Sequence, residues 1–142
     1  MLLLHLLARE CHRLAHLPAS ELETTLLLHP GTLAAFEEQL DFLPAVEALL
    51  EQLGLDEELQ VVSFHPEYRF ADAPEDDPAN YTNRAPFGMF HLLRRESMAG
   101  AIASHPDPDS IWRRNVELLR DRGSESLEAR LVELRALAKA SA

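Results

Sequence analysis

Apolar residues recur at helical spacing in three stretches of the chain, and this pattern predicts most of its helices. The first stretch, 2–16, places an apolar face opposite a polar face that is rich in histidine. The same spacing returns in 31–53 and 124–142, and the stretches 97–104 and 107–122 are also expected to be helical. The sequence therefore predicts about five helices.

Proline, glycine and aspartate indicate where these helices begin and end. Asp41 and Pro44 suggest that a second helix begins inside 31–53, because proline is tolerated only in a first turn. Gly54 is placed to end that stretch as a C-terminal cap. Asp107 is the expected N-cap of the fourth helix, with Pro108 in its first turn.

Two short runs of aliphatic and β-branched residues, 24–29 and 59–66, predict strands. A third apolar run, 87–94, is too short for its periodicity to decide between strand and helix. The first two strands are separated by a helical stretch, and strand–helix–strand units are nearly always parallel crossovers. We therefore predict an α/β fold with a small, mostly parallel sheet of two to three strands.

The same pattern suggests how the chain is organised. Residues 1–123 are expected to form a single α/β domain. The amphipathic helix 124–142 is expected either to pack on that domain or to form a homodimer.

Both predicted strands end in His-Pro, at His29 and at His65. In a parallel sheet both histidines would lie at the carboxyl edge, where open α/β sheets bind their ligands. His65 is then the best candidate for proton transfer, with His29 or His91 as its partner. Two simpler readings stay open: His-Pro can be a strand stop that occurs twice, or His65 can act alone.

The stretch 63–87 is irregular, polar and rich in proline, and it is longer than most loops of compact domains. Such loops are usually functional or disordered, and the aromatic residues here favour an anchored loop. Its densest polar part is a candidate ligand-binding group: Asn80, Tyr81, Thr82, Asn83 and Arg84. The arginine can make a bidentate contact with carboxylate or phosphate, whereas the asparagines can equally build turns.

Two further polar groups are candidates. Asp76 and Asp77, together with His65, are weak metal candidates, although no recognised metal motif is present and an acidic tip is more often solvated. Arg94 follows His91 near a predicted helix start, where a cation suits an anionic ligand or an acidic partner surface. Otherwise this arginine pairs with nearby acids.

Composition and charge argue against several classes of function. The formal charge of −11 over 142 residues would repel nucleic acid and anionic membranes. The single cysteine, Cys11, the absence of a convincing signal peptide and the lack of a membrane-length apolar run favour a cytoplasmic protein. No glycine-rich phosphate loop, nucleophile elbow or CxxC motif is present, so no cofactor is identified.

The run from "SFHP" at 63–66 through "DDPANYTNRAPFGMFHLLRRES" resembles the bacterial domain-of-unknown-function family 1415. The likeness covers about residues 1–122. It implies a cytoplasmic α/β-type domain and no activity. Members of this family usually begin with a further segment that contains a Cys-Pro-Phe element and a strand, so this chain is expected to be a shortened member, a member with a different start site or a divergent branch. Cys11 lies in a helix and would not replace that cysteine, and the helix 124–142 looks like an addition to the family core.

We therefore predict a pocket for a small anionic metabolite at the carboxyl edge of the sheet, roofed by residues 70–87, and leave open whether it is enzymatic. The alternatives are a non-enzymatic protein-interaction module that uses the 66–86 loop, and a metal carrier. The pocket requires His65, Arg84 and His91 to converge on a concave surface. The sequence identifies neither substrate nor reaction.

Overall fold

A computed structural model describes the backbone of residues 2–140 and the side chains of residues 2–138. Within these residues, five α-helices, three strands and one short 3-10 helix follow one another. Their order is α1 (Leu2–His16), β1 (Thr25–Leu28), α2 (Phe36–Leu53), β2 (Leu59–Phe64), the 3-10 helix (Pro78–Thr82), β3 (Met89–Arg94), α3 (Arg95–Ser104), α4 (Asp109–Arg122) and α5 (Ser124–Ala140). Within this described part, no helix is both long enough and apolar enough to cross a membrane.

The three strands form one antiparallel sheet in the order β1-β3-β2. The prediction of a mostly parallel sheet is therefore wrong, although the number of strands and helices is confirmed. β1 and β2 do run in the same direction, but β3 lies between them and pairs antiparallel with both. The apolar run 87–94 turned out to be this central strand, which its periodicity could not reveal.

One face of the sheet carries the hydrophobic core. Phe90 and Leu92 in the central strand are fully buried there, under α1 and α2. Their neighbours His91 and Leu93 point to the opposite face, because successive side chains of a strand alternate. On that opposite face of β1, Leu26 remains 52% exposed.

The first helix follows its apolar pattern. In α1 the residues Leu7, Cys11 and Leu14 are buried, as the stripe predicted. Burial, with a smaller contribution from the neighbouring Glu10, raises the pKa of the Cys11 thiol to about 11. This cysteine is therefore a neutral core residue.

The predicted interruption of α2 is wrong, since the helix runs continuously through Pro44. Residues on both sides of the proline, such as Phe36 before it and Val46 after it, are buried against the same body of the protein. This shared burial outweighs the lost backbone hydrogen bond. Gly54 does end the helix in a left-handed conformation, with φ of 66°.

The segment between β2 and β3, residues 65–88, is called the long loop below. It folds around its own 3-10 helix and contacts α4 and α5. In α5, Leu131 is buried, and the Arg135 Nε donates to the carbonyl of Pro86 at 3.1 Å. The α4 helix begins at Asp109, two residues after the predicted N-cap.

Candidate functional site

A cleft of about 700 Å³ opens at the end of the sheet where β2 finishes and the long loop begins. Its walls come from the start of α2, the long loop and one side of α5. It is lined by Ala34, Phe36, Glu37, His65, Pro66, Glu67, Arg69, Glu75, Arg84, Glu128 and Arg135. Two of the predicted site residues, His65 and Arg84, thus share one concave surface.

His65 forms the floor of the cleft and is only 2% exposed. Its Nδ1 accepts a hydrogen bond from the backbone N–H of Glu67 at 3.1 Å, and its Nε2 lies 3.3 Å from the carbonyl oxygen of Leu33. Because Nδ1 is an acceptor, we assign the proton to Nε2 and the ring as neutral. Both ring nitrogens are therefore occupied in joining the long loop to the chain before α2.

The backbone of His65 also ties together the two ends of the long loop. Its N–H donates to the carbonyl of Asn83 at 3.2 Å, and its carbonyl accepts from the N–H of Ala85 at 3.4 Å. This local pairing continues the direction of β2 and places Arg84 beside His65. It is the reason why residues far apart in the chain meet in the cleft.

Arg84 is held in place by neutral groups. Its Nε donates to the carbonyl of Tyr68 at 3.0 Å, its Nη2 donates to the carbonyl of Glu75 at 3.2 Å, and its guanidinium lies 4.6 Å from the centre of the Tyr81 ring. Among the residues described, no carboxylate lies within ion-pair distance of Arg84. The cleft therefore contains an oriented guanidinium whose charge is not neutralised by a side chain.

The other charged side chains of the cleft are largely paired. Arg69 lies 3.6 Å from Glu37 and 3.5 Å from Glu75, and both pairs are well exposed. Arg135 lies 3.7 Å from Glu128. These long, partly exposed pairs are weak and can rearrange when a ligand enters.

Tyr81 links the long loop to α5 at the edge of the cleft. Its hydroxyl donates to the Glu128 Oε2 at 3.0 Å. Burial of the ring, and then this hydrogen bond, raise the pKa of Tyr81 above its usual value, while Arg84 acts in the opposite direction. Tyr81 is therefore a neutral donor that shapes the position of Glu128.

The remaining polar residues of the predicted ligand-binding group mainly build the loop. Asn80 is completely buried: its Oδ1 accepts from the N–H of Phe70, and its Nδ2 donates to the carbonyls of Pro74 and Glu75. Asn83 donates from Nδ2 to the carbonyl of Ser63 at 3.2 Å.

Thr82 is exposed and lies away from the cleft, in a groove between the long loop and α4. Of the five candidates from Asn80 to Arg84, the structure therefore places only the arginine in the lining of the cleft. The two asparagines make the turn-building contacts that the sequence left as an alternative.

His29 lies at the same end of the sheet as His65, but β3 separates the strands that they follow. Two strand spacings correspond to about 10 Å. The His29 ring is 5% exposed, packs 4.9 Å from the centre of Phe90 and donates from Nδ1 to the carbonyl of Thr32 at 2.9 Å. Its Nε2 is buried without a partner in the described part of the chain. His29 does not line the cleft.

His91 and Arg94 also lie elsewhere. The His91 Nε2 donates to the Oγ1 of Thr24 at 2.7 Å on the face of the sheet opposite the core, and burial lowers the pKa of His91. The Arg94 Nη2 lies 2.7–2.8 Å from three carbonyl oxygens at and after the end of α1: Leu14, Leu17 and Leu22. A cation at a helix C-terminus is stabilising, so this arginine has a structural partner already.

The acidic tip of the long loop faces α4. The Asp77 carboxylate caps the 3-10 helix through the N–H of Ala79 and receives Nε and Nη2 of Arg120 at 3.2 and 2.7 Å. The hydrogen bond from Arg120, followed by that from Ala79, holds the pKa of Asp77 below its usual value. Asp76 is exposed, and its carbonyl accepts from the Ser124 hydroxyl. Within residues 2–138, no three potential metal ligands come together.

Six charged residues that line the cleft were not predicted as site residues: Glu67, Arg69, Glu75, Glu37, Glu128 and Arg135. The first two stand in the long loop beside His65 and could have been found by their position. The last two lie on α5, and no local pattern indicates that this helix reaches the cleft.

Comparisons with known proteins agree with the sequence-based expectation about the family. A comparison with curated proteins and one with solved structures found no match. Residues 2–129 match a family model described as "Protein of unknown function (DUF1415)", which spans the strands, the long loop and the first residues of α5. The chain belongs to the DUF1415 family.

Proposed function

We propose that the protein binds a small molecule with a carboxylate or a comparable anionic group in the cleft, and that Arg84 anchors that group. The observation that supports this proposal is the guanidinium of Arg84, which is oriented by two carbonyls and a tyrosine ring without a carboxylate partner. A cleft of about 700 Å³ is of the size that small-molecule sites have, roughly 300–1,000 Å³.

Orientation matters because it reduces the entropy lost on binding. A free arginine side chain loses up to about 2 kcal/mol of conformational entropy when it is fixed. In Arg84 the contacts with Tyr68 and Glu75 already restrict the side chain. A hydrogen bond to a charged group contributes about 1.5–3 kcal/mol to the binding free energy. The pre-oriented guanidinium, with its fork of paired N–H donors, therefore favours an anionic ligand.

Binding is better supported than proton transfer. His65 lies in the floor of the cleft, but both of its ring nitrogens hold the loop and the ring is almost completely buried. A catalytic role for His65 would require the ring to release the N–H of Glu67 or the carbonyl of Leu33. Catalysis by His65 with His29 or His91 thus stays a prediction, as does cytoplasmic localisation.

The proposal can be tested by thermal unfolding of the purified protein with millimolar monocarboxylates, dicarboxylates and inorganic phosphate. A ligand present at about 100 times its Kd stabilises the native state by roughly 2.7 kcal/mol, which raises the Tm by roughly 5–10 °C for a chain of this size. Isothermal calorimetry then measures the affinity for the best compound. If no compound raises the Tm, the proposal is wrong.

Variants of Arg84 localise the binding. Arg84→Met should weaken the best compound by roughly 10- to 100-fold, and Arg84→Lys should recover part of the affinity, because it keeps the charge and loses the fork. Arg114→Met is the matched control, since Arg114 is an exposed arginine of α4 that does not line the cleft. Equal binding by the wild type and Arg84→Met would contradict the proposal.

A second candidate function, recognition of a protein segment by the long loop, is favoured by one observation. A groove of about 540 Å³ lies between the long loop and α4 and is mainly apolar, with Phe70 on one side and Trp112, which is 59% exposed, on the other. Asp72 is exposed there, whereas Asp77 is neutralised by Arg120. This charge suits an apolar segment that carries basic residues.

Trp112 is the single tryptophan of the chain, so its fluorescence reports on this groove. A peptide of alternating leucine and lysine should shift the emission to shorter wavelength, and Asp72→Asn should weaken the effect. A peptide of alternating leucine and glutamate is the control. If both peptides shift the emission equally, or neither does, the second candidate fails.

A further inference from the structure

The charges that line the cleft are of both signs. Three arginines meet four glutamates there. A multiply charged anion such as phosphate would therefore lie near several carboxylates, in a chain whose formal charge is already −11. Like charges that lie close together repel each other, so the lining opposes a ligand that carries only negative charge.

One arginine and one glutamate of the lining have no ion-pair partner in the described part of the chain. Arg69 and Arg135 are paired with glutamates of the lining, as described above. Glu67 is exposed, lines the cleft and has no ion-pair partner among residues 2–138. Arg84 has none either, and the two residues do not pair with each other.

Both unpaired residues are held by hydrogen bonds, Glu67 at its backbone N–H and Arg84 at its guanidinium. The N–H of Glu67 donates to the buried ring of His65, which sets the place from which the glutamate side chain extends. Arg84 is bonded to the carbonyl of Tyr68, the residue that follows Glu67. Arg84 and Glu67 therefore both line the cleft, and their charged groups lie more than 4 Å apart, so they form no ion pair with each other.

From this arrangement we infer that the ligand is a zwitterion of the α-amino-acid class, whose carboxylate binds Arg84 and whose ammonium group binds Glu67. This inference rests on the proposed function and narrows it. Such a ligand satisfies both unpaired charges and leaves the net charge of the cleft unchanged. The lining is mainly polar and charged, so the side chain of the ligand is expected to be small or polar.

The test compares three forms of the same compounds by calorimetry and thermal unfolding: the common α-amino acids, their N-acetyl derivatives and their amides. N-acetylation removes the ammonium charge and keeps the carboxylate, whereas the amide removes the carboxylate and keeps the ammonium. With wild-type protein, both modifications should weaken the best amino acid by at least tenfold.

Two variants assign each group. In Glu67→Gln the free amino acid and its N-acetyl derivative should bind with similar affinity, since the partner of the ammonium is gone. In Arg84→Met the free amino acid and its amide should bind with similar affinity, since the partner of the carboxylate is gone. Glu21→Gln is the matched control, because Glu21 is exposed and lies outside the cleft.

The two proposals fail in different ways. If N-acetyl derivatives bind wild-type protein as tightly as free amino acids and lose affinity in Arg84→Met, the anion site stands and the zwitterion inference is wrong. If simple carboxylates bind and no amino acid does, the anion site again stands and the zwitterion inference is wrong. If no compound of any form binds, the proposed function fails, and the zwitterion inference fails with it.

Discussion

Gly88, just before β3, lies against the buried ring of His29, and replacing it with alanine probes how tightly this end of the sheet is packed. A Cβ atom at residue 88 would lie 2.9 Å from the Nδ1 of His29, 3.2 Å from its Nε2 and closer still to its Cε1. Gly88 is not among the glycines with positive φ, so alanine causes no backbone strain there. The whole effect of Gly88→Ala should come from contact with the ring.

The size of the effect follows from what holds the ring. His29 packs on Phe90 and donates to the carbonyl of Thr32, so it cannot turn away without losing both contacts. Overpacking of a core costs typically 1–3 kcal/mol, and loss of one hydrogen bond costs about 0.5–1.5 kcal/mol. We expect Gly88→Ala to lower the free energy of unfolding by about 2–3 kcal/mol.

Urea unfolding followed by circular dichroism measures this change. With a slope of about 2 kcal/mol per molar urea, the midpoint should fall by roughly 1–1.5 M. Gly100→Ala is the matched control, because nothing lies within 4 Å of a Cβ at residue 100 and the residue is exposed in α3. That variant should gain about 0.5–1 kcal/mol from helix propensity.

A double-mutant cycle decides the cause. In the His29→Ala background the ring is absent, so Gly88→Ala should cost less than about 0.5 kcal/mol, and the coupling energy between the two sites should be about 2 kcal/mol. Two results would refute this reasoning: a single variant as stable as the wild type, or a cost that persists after the ring is removed.

Three further predictions concern residues outside the cleft. Arg94→Met should lower the free energy of unfolding by about 3 kcal/mol, because three carbonyls near the end of α1 lose a charged donor. Burial lowers the pKa of folded His91 below the unfolded value of about 6.5, so its contribution to stability is present above that pH and is lost on acidification; His91→Gln should make the loss from pH 7 to pH 5 smaller. Cys11, buried with its pKa raised to about 11, should not react with a thiol reagent at pH 8 until urea unfolds the protein.

Each of these three predictions has a defined contrary outcome. Arg114→Met, which removes an exposed arginine of α4, should be neutral, and an equal loss in both arginine variants would speak against the helix-end role of Arg94. An unchanged pH dependence in His91→Gln would show that the ring is not desolvated. Rapid labelling of Cys11 in the native protein would mean that α1 opens readily.

Local features of the chain were predictable from the sequence because they depend on spacing alone. The buried stripe of α1, from Leu7 to Leu14, follows from a helical period of 3.6 residues. Gly54 ends α2 because glycine adopts the left-handed conformation without a Cβ penalty. Most of the run 63–87 is irregular as predicted, apart from the end of β2 and the 3-10 helix Pro78–Thr82, and its sequence pointed to the DUF1415 family.

The order of the strands could not be predicted in the same way. An apolar run such as 87–94 satisfies the periodicity of a buried strand wherever that strand lies in the sheet. The exchange of backbone hydrogen bonds on both edges of β3 decides that it lies in the centre, and these bonds depend on all three strands. For this reason the two His-Pro histidines share an end of the sheet without being neighbours.

By itself, the sequence determined that there are about five helices, where the long loop lies, and two of the side chains that line the cleft, His65 and Arg84. Only the tertiary structure decided which polar groups already have hydrogen-bond partners. Arg94 donates to carbonyls at the end of α1, Asn80 bonds backbone groups of the long loop, and the ring of His65 bonds two backbone groups. It also brought Glu128 and Arg135 of α5 to the cleft. The physical reason is that spacing along the chain records which face of an element is buried, whereas the partner of a polar group is set by contacts between residues far apart in sequence.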